Sequence, residues 1–181
     1  SVGTSINGGF STLDESDLFD STSNCIQAAT ACSGTGDEVD SSTAVSALTT
    51  ADGWYITLTP GEKVVGNAVT LNNTVFFNTN VPSSQAGASG SCESDLGEAR
   101  QYKVNYDDAT SIADQNIDGY TDASDRYTVH SGGGYLPSPV PVVVEINGEI
   151  HEGVISGVAV TQPPGSTLNT RLRKFWFKEM E

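Results

Sequence analysis

The sequence predicts an all-β fold built from antiparallel strands, with short helices confined to its front. Two observations carry this. From Asp52-Gly53 onward, apolar and polar residues alternate in short runs, and Gly, Pro and Asn turns separate the runs. Helical spacing of apolar residues occurs only before that point. Many short strands joined by turns make a sandwich, a barrel or propeller blades. The expected division is a polar, partly helical lead-in over residues 1–52 and a β region over residues 53–181.

In the lead-in, Leu13, Leu18, Phe19 and Ile26 fall at roughly helical spacing between Ser11 and Thr30. Ser11 is the expected N-cap, with Asp14 and Glu15 in the first turn. Gly34 to Asp40 reads as a loop, and Ser42 to Thr50 as a second short helix. Trp54, Ile56 and Leu58 then alternate with polar neighbours, which predicts a half-buried strand. Pro60-Gly61 marks a turn. Lys63 to Leu71 reads as a strand, and Asn72-Asn73 as a tight turn into Thr74 to Asn80. A Ser- and Gly-rich loop from Val81 to Gly97 leads to an alternating strand from Arg100 to Tyr106. Beyond the acidic stretch Asp107 to Asp125, a short strand covers Tyr127 to Val129, and Ser131 to Gly134 form a turn. Val140 to Ile146 and Glu149 to Ile155 form a hairpin around Asn147-Gly148, the strongest turn signal in the chain. Val158 to Thr161 is a weaker strand, and Arg171 to Lys178 is the last one.

Charge excludes whole classes of partner. The chain has 181 residues, Lys+Arg 8 against Asp+Glu 23, and a formal net charge of −15. Nucleic acid needs a cationic surface, and an anionic membrane leaflet needs one too. The longest near-apolar run, Pro139 to Val144, is too short to span a bilayer. Such a chain suits a secreted or cell-surface protein, and its polar first residue without Met reads as a mature or excised piece. Half of the cations, Arg171, Arg173, Lys174 and Lys178, lie in the last eleven positions, where they pair with an otherwise acidic body or offer a docking surface to a separate partner. Cys25 and Cys32 are close enough for a local disulfide in an oxidising compartment; free thiols or a pairing with Cys92 are the alternatives.

The sharpest signal is the acidic stretch. Asp114, Asn116, Asp118, Gly119, Tyr120, Asp122 and Asp125 fit the spacing D-x-N-x-D-G-x-x-D-x-x-D. Ca2+ is a hard cation that takes six to eight oxygens from a flexible loop. Asp114, Asn116 and Asp118 supply side-chain oxygens at alternate positions, and Gly119 permits the sharp turn. Tyr120 supplies its carbonyl, Asp122 binds directly or through water, and Asp125 takes the twelfth place. Strand-like flanks make this an EF-hand-like loop set in a β fold rather than a helix–loop–helix.

No catalytic signature accompanies it. His151-Glu152 lacks the second His of a zincin motif, and neither G-x-S-x-G nor a glycine-rich loop opening a helix is present. His130 and His151 read as surface or β-edge residues, and Asp107-Asp108 as solvated surface. Trp54 and Trp176 lie in strand patterns and read as core. The expectation is that the protein is not an enzyme.

Four segments carry a resemblance: Leu13-Asp-Glu-Ser-Asp-Leu-Phe-Asp20 with Ile26-Gln27, then Ala51 to Leu58, Gly61 to Val65, and Val75-Phe-Phe77. Cys92, the stretch from Gly97 to Tyr106, and Arg173 with Trp176 add to it. Together they resemble the C-terminal region of the PilY family, type IV pilus biogenesis factors and tip-associated adhesins. The resemblance runs from about Leu13 to the end of the chain, with the block from Gly53 to Phe77 its most specific part. It implies a modified β-propeller, partial or complete, with antiparallel blades, and an extracellular place at the pilus tip. It also implies calcium-regulated control of pilus extension and retraction. The family's calcium loops map onto Asp114, Asn116, Asp118 and Asp122, while Asp125 rests on spacing alone. Expected partners are minor pilins or the remaining part of a larger propeller chain, together with a host or surface receptor. The competing readings are a structural subunit of an extracellular filament or surface layer and, further off, a quinoprotein-like propeller enzyme.

Overall fold

The computed structural model describes residues 5–6, 10–27, 32–34, 37–39, 41–83, 96–146, 149–157 and 159–162. In chain order the strands are β1 (Ser5–Ile6), β2 (Phe10–Ser11), β3 (Phe19–Asp20), β4 (Cys32–Gly34) and β5 (Asp37–Val39). After helix α1 (Ser41–Thr50) come β6 (Trp54–Tyr55), β7 (Lys63–Val64), β8 (Val69–Leu71), β9 (Thr74–Val81) and β10 (Glu98–Asn105). The last four are β11 (Tyr127–His130), β12 (Val140–Ile146), β13 (Glu149–Ser156) and β14 (Ala159–Thr161). The all-β expectation holds, with almost every pairing antiparallel. The described strands form open sheets, and they close into neither a barrel nor a propeller ring.

Asn72 and Asn73 set the register of the larger sheet. Both take left-handed backbone, φ 48° and 59°. Asn tolerates that region, and a two-residue hairpin turn of matching twist requires it at both positions. Leu71 therefore faces Thr74, and β9 runs on to pair along its whole length with β10, from Asn105↔Thr74 to Glu98↔Val81. β11 adds to the far side of β10. The stretch from Lys63 to Leu71, expected as one strand, is interrupted. β7 and β8 both pair with β9, but the residues between them bend toward Ser138, whose Oγ accepts from Asn67 N at 3.0 Å. Gly66 lies at the bend, where a Cβ would stand 2.7 Å from Ser138 Oγ.

The three-stranded sheet β12-β13-β14 docks on this sheet through polar contacts. Asn78 Nδ2 donates to Ser156 Oγ at 2.7 Å and to Pro137 O at 2.6 Å. Thr161 Oγ1 donates to Gln101 Oε1 at 3.2 Å, and Asn72 Nδ2 to Glu152 Oε2 at 2.9 Å. Phe76, Ala99 and Val154 supply the apolar part of the buried layer.

The other face of the larger sheet holds a buried carboxylate. Glu62 follows the Pro60-Gly61 turn, and its side chain is out of water. It accepts from Thr59 N at 3.2 Å, Thr59 Oγ1 at 2.6 Å, Thr79 Oγ1 at 2.5 Å, Tyr102 OH at 3.0 Å and Arg100 Nη1 at 3.0 Å. Tyr102 stacks on Phe77 at 4.7 Å, and Arg100 lies over the Tyr127 ring at 4.4 Å. Burial alone would raise the Glu62 carboxyl; the hydrogen bonds and the Arg100 charge outweigh it and hold it below its ordinary value.

The lead-in departs from expectation. Between Ser11 and Gln27, the described part of the stretch expected as a helix, no helix of that length forms. Asp14, not Ser11, caps a single 3-10 turn, Glu15–Asp17, and Asp17 caps back onto Asp14 N. That reciprocal cap closes the turn, and β3 then pairs in parallel with β6 as Phe19↔Trp54 and Asp20↔Tyr55. The long-range pairing takes Phe19, one of the apolar residues that helical spacing assigns to a helix face, while Leu13 stays exposed. The strand expected over Trp54 to Leu58 is accordingly only two residues long. The loop expected from Gly34 to Asp40 contains part of a hairpin, with β4 paired to β5. Helix α1 forms as expected and turns Ala44 inward. Asn147-Gly148, Cys92 and the last strand from Arg171 to Lys178 with Trp176 lie outside the described residues.

Glu62→Ala should destabilise the fold by about 1–3 kcal/mol or more, because Thr59, Thr79 and Tyr102 lose their common acceptor and Arg100 keeps, among the described residues, only Glu98 as a carboxylate partner. Urea unfolding at pH 7 measures this. The depressed carboxyl contributes stability that is present above its unfolded pKa and is lost as pH falls through the folded one. The loss of stability of the parent protein on acidification should therefore be smaller in Glu62→Gln.

Candidate functional site

The acidic loop joins β10 to β11 and is built from side chains that cap its own backbone. Asn105 N donates to Thr110 O at 2.8 Å, which closes the first turn, with Ala109 in left-handed backbone at φ 58°. Asp108, half-buried rather than fully solvated, accepts from Thr110 N at 2.9 Å. From Ser111 the chain enters the donor-rich segment.

Asp114 organises the first half. Its Oδ1 accepts from Ile117 N at 2.6 Å and Asp118 N at 3.2 Å, and its Oδ2 from Gly119 N at 2.9 Å. Drawing these amides onto one carboxylate forces Ile117 to φ 61°, a costly region for a β-branched residue. It takes Gly119 to φ 90°, where a Cβ would meet nothing. Asn116 Oδ1 accepts from Asp118 N at 3.0 Å, and Asp118 Oδ1 from Tyr120 N at 2.9 Å. Asn116 Nδ2 donates to Asp118 Oδ2 and to Ser124 Oγ, both at 3.0 Å. The Tyr120 ring is exposed.

Asp125 organises the second half from inside the protein. It is fully buried, with Oδ1 accepting from Gln115 N at 2.8 Å and Asn116 N at 3.0 Å, and Oδ2 from Asp122 N at 3.0 Å. Burial would raise this carboxyl; the backbone N–H groups outweigh burial and lower it. Asp122 caps the 3-10 turn Ala123–Arg126 by accepting from Ser124 N at 2.7 Å. The next residue, Arg126, is also buried; its Nη1 donates to Thr22 O at 2.9 Å and its Nη2 to Ser21 O. Desolvation lowers its pKa to about 10. Lys103 Nζ donates to Gln115 Oε1 at 3.0 Å, tying the loop to the sheet, and burial lowers its pKa.

The structure thus brings Asp114, Asn116, Asp118, Asp122 and Asp125 into one hydrogen-bonded loop, with Tyr120 joined through its backbone N. Among the described residues, no group of three His, Cys, Asp or Glu side chains converges as a ready-made set of metal ligands. All six are oxygen donors, which is the chemistry Ca2+ requires. In this conformation the carboxylates face the loop's own amides. The Asn116 amide nitrogen stands between the oxygens of Asp118 and Ser124. Sequence spacing marked the oxygens but missed Ser124, Gln115, Lys103 and Arg126, which hold the loop in place.

Elsewhere, a shallow cleft of about 520 Å³ is lined by residues including Val81, Pro82, Glu98, Val129 and His130. His130 is half-buried on the edge strand β11, and its Nε2 has no hydrogen-bond partner. Burial and the nearby Lys103 charge hold its imidazole below the ordinary value. Trp54 is half-buried and donates Nε1 to Tyr106 O at 2.8 Å, so it bridges the lead-in to the loop. Cys25 is disulfide-bonded, and the side chains of Cys32 and Cys92 lie outside the described residues. No helix among the described residues is long and apolar enough to cross a membrane.

Comparisons with protein-family models, with curated proteins and with solved structures found no match.

Asp125→Ala should unfold the loop from its base, because the part-buried N–H groups of Gln115, Asn116 and Asp122 lose their acceptor. The expected cost is about 1–3 kcal/mol. Hydrogen exchange should accelerate at the amides of Gln115, Asn116 and Asp122, while those of β9 stay protected.

Proposed function

We propose that this chain is a non-enzymatic, extracellular, type IV pilus-associated module, a tip adhesin or assembly factor, whose acidic loop binds Ca2+. The observation that carries the calcium reading is the loop's donor pattern. Oxygen side chains stand at the spacing of a calcium loop, and the backbone is already wrapped around Asp114, with Gly119 at the sharp turn. Asp114, Asn116, Asp118 and Asp122 would hold the ion with side-chain oxygens and Tyr120 with its carbonyl. Asp125 contributes mainly by bracing the loop, since its oxygens already accept three backbone N–H groups. Bound calcium supplies positive charge that offsets repulsion among four carboxylates. The chain's own residues do the rest: Arg126 and Trp54 pass the loop's position to the lead-in, and Lys103 passes it to the larger sheet.

The pilus context rests on the PilY-like segments. The five-stranded sheet fits one blade of a modified propeller, and minor pilins, the rest of a larger propeller chain or a host or surface receptor are the partners such a module would meet. A disulfide at Cys25 and the acidic charge suit an extracellular site. The open edges of both sheets favour a second reading, a subunit of an extracellular filament or surface layer. Electron microscopy with antibody to this chain separates the two: label at pilus tips supports the first, and label along a filament or a lattice supports the second.

Titration calorimetry tests the calcium assignment. The chain should bind Ca2+, and Asp118→Ala should abolish binding while leaving the far-ultraviolet spectrum unchanged. An unchanged affinity in that variant overturns the ligand set. Stability should rise by about 2.7 kcal/mol at a hundredfold excess over Kd and fall back on chelation.

A further inference from the structure

His130 ends the outer strand of the larger sheet in a setting that suits only its neutral form. β11 is four residues long, has one sheet neighbour among the described strands, and pairs with β10 from Tyr102↔Tyr127 to Ala99↔His130. Cross-strand partners share a face, so His130 lies on the face of Asn80, Ala99, Gln101 and Lys103, the face that meets the second sheet. The chain then turns at once, with His130 O accepting from Gly133 N at 3.1 Å and Gly97 O from Gly134 N at 3.2 Å. The imidazole Nε2 is withdrawn from water and has no hydrogen-bond partner among the described residues. A neutral ring tolerates this, with a bare lone pair at Nε2 and its proton on Nδ1. A protonated ring does not, because Nε2 becomes a charged donor with no acceptor among those residues.

The surrounding charge also opposes protonation. Lys103 of β10, itself buried, shares the face. Glu98 and Arg100 alternate to the other face, where the guanidinium holds both Glu98 and Glu62. β9 contributes Asn80, whose Nδ2 donates to Leu96 O and Gly134 O, and Ser131 to Gly134 bring no ionisable side chain. Across the layer, Glu152 of β13 is held by Asn72 at the opposite end of β9, and Glu145 of β12 lies beyond it toward the hairpin tip.

We propose that His130 is an acid-sensitive latch: neutral, it lets β11 close the larger sheet, and protonated, it drives β11 off β10 and frees the end of the acidic loop. β11 is the element that yields because its four residues are bound along one edge. The 3-10 turn holding Asp125 runs straight into it. Burial and Lys103 hold the imidazole below its ordinary value, so the unfolded chain takes up this proton before the native state does. Stability present above the ordinary histidine range is therefore lost as pH falls through about 6.5 toward the folded value. The depressed carboxyls of Glu62 and Asp125 act in a separate, lower window.

Hydrogen exchange of the calcium-free full chain tests the latch, so the outcome is independent of the metal assignment. Protection of the β11 amides, corrected for intrinsic exchange, should fall by up to about tenfold per pH unit below about 6.5, while the β12 amides stay protected. His130→Gln should remove that fall, and His151→Gln, altered on the second sheet, should keep it. The ring gives a second reading. By NMR, His130 should titrate below the ordinary histidine value in the parent and higher in Lys103→Met. No fall in the parent, or a fall that persists in His130→Gln, overturns the proposal. So does an imidazole that titrates at or above the ordinary value.

Discussion

Asp125 and Arg126, neighbours in sequence, are both withdrawn from water, and the arrangement of the loop and the lead-in depends on how that is made tolerable. A buried ion unpaired in an apolar setting costs several kcal/mol. Here the compensation is backbone rather than a mutual ion pair. The carboxylate takes N–H groups from Gln115, Asn116 and Asp122, and the guanidinium gives its protons to carbonyls of Ser21 and Thr22. The two charges thereby act in opposite directions. Asp125 gathers the acidic loop, and Arg126 gathers the segment before α1. Ser111 Oγ, donating to Asp125 O at 2.8 Å, fastens both to the end of β10.

The same logic recurs at larger scale. Among the described residues, the buried polar side chains outweigh the buried apolar ones, and the two sheets meet through Asn78, Gln101, Ser156 and Thr161 rather than through a wide hydrocarbon layer. Polar contacts of this type tolerate few alternative registers, because each misplacement leaves a buried donor or acceptor without a partner. Glu62 serves the opposite face likewise, drawing Thr59, Thr79, Arg100 and Tyr102 to one carboxylate.

Much of the β region was legible because side-chain alternation and turn chemistry are local. β9, β10, β12 and β13 fall where alternation puts them, and the Asn72-Asn73 turn needs only its two residues to be recognised. The failures share a cause. The helix expected between Ser11 and Thr30 loses to a pairing with Trp54 and Tyr55, which no local pattern reveals. Glu62 follows a Pro-Gly turn, and no local pattern marks it as buried; the return of β9 and β10 brings Thr79, Arg100 and Tyr102 onto it. In the acidic loop, spacing gives the oxygens in order. It does not say that Asp125 is buried and occupied with amides while Asp118 stays exposed. That distinction is made by Arg126 and the lead-in, a hundred residues away in sequence.

The parallel clasp of β3 on β6 has a mechanical meaning for a protein held at its two ends. Tension enters β3 from its amino end and β6 from its carboxyl end, so the strands are dragged past one another and the bonds Phe19 N to Gly53 O and Ser21 N to Tyr55 O share the load at once. The β9–β10 hairpin, entered at Thr74 and left at its partner Asn105, would instead unzip rung by rung. The clasp and the hairpin follow one another along the chain and carry the same tension, so the peelable hairpin yields at the lower force while the shear-loaded clasp still holds.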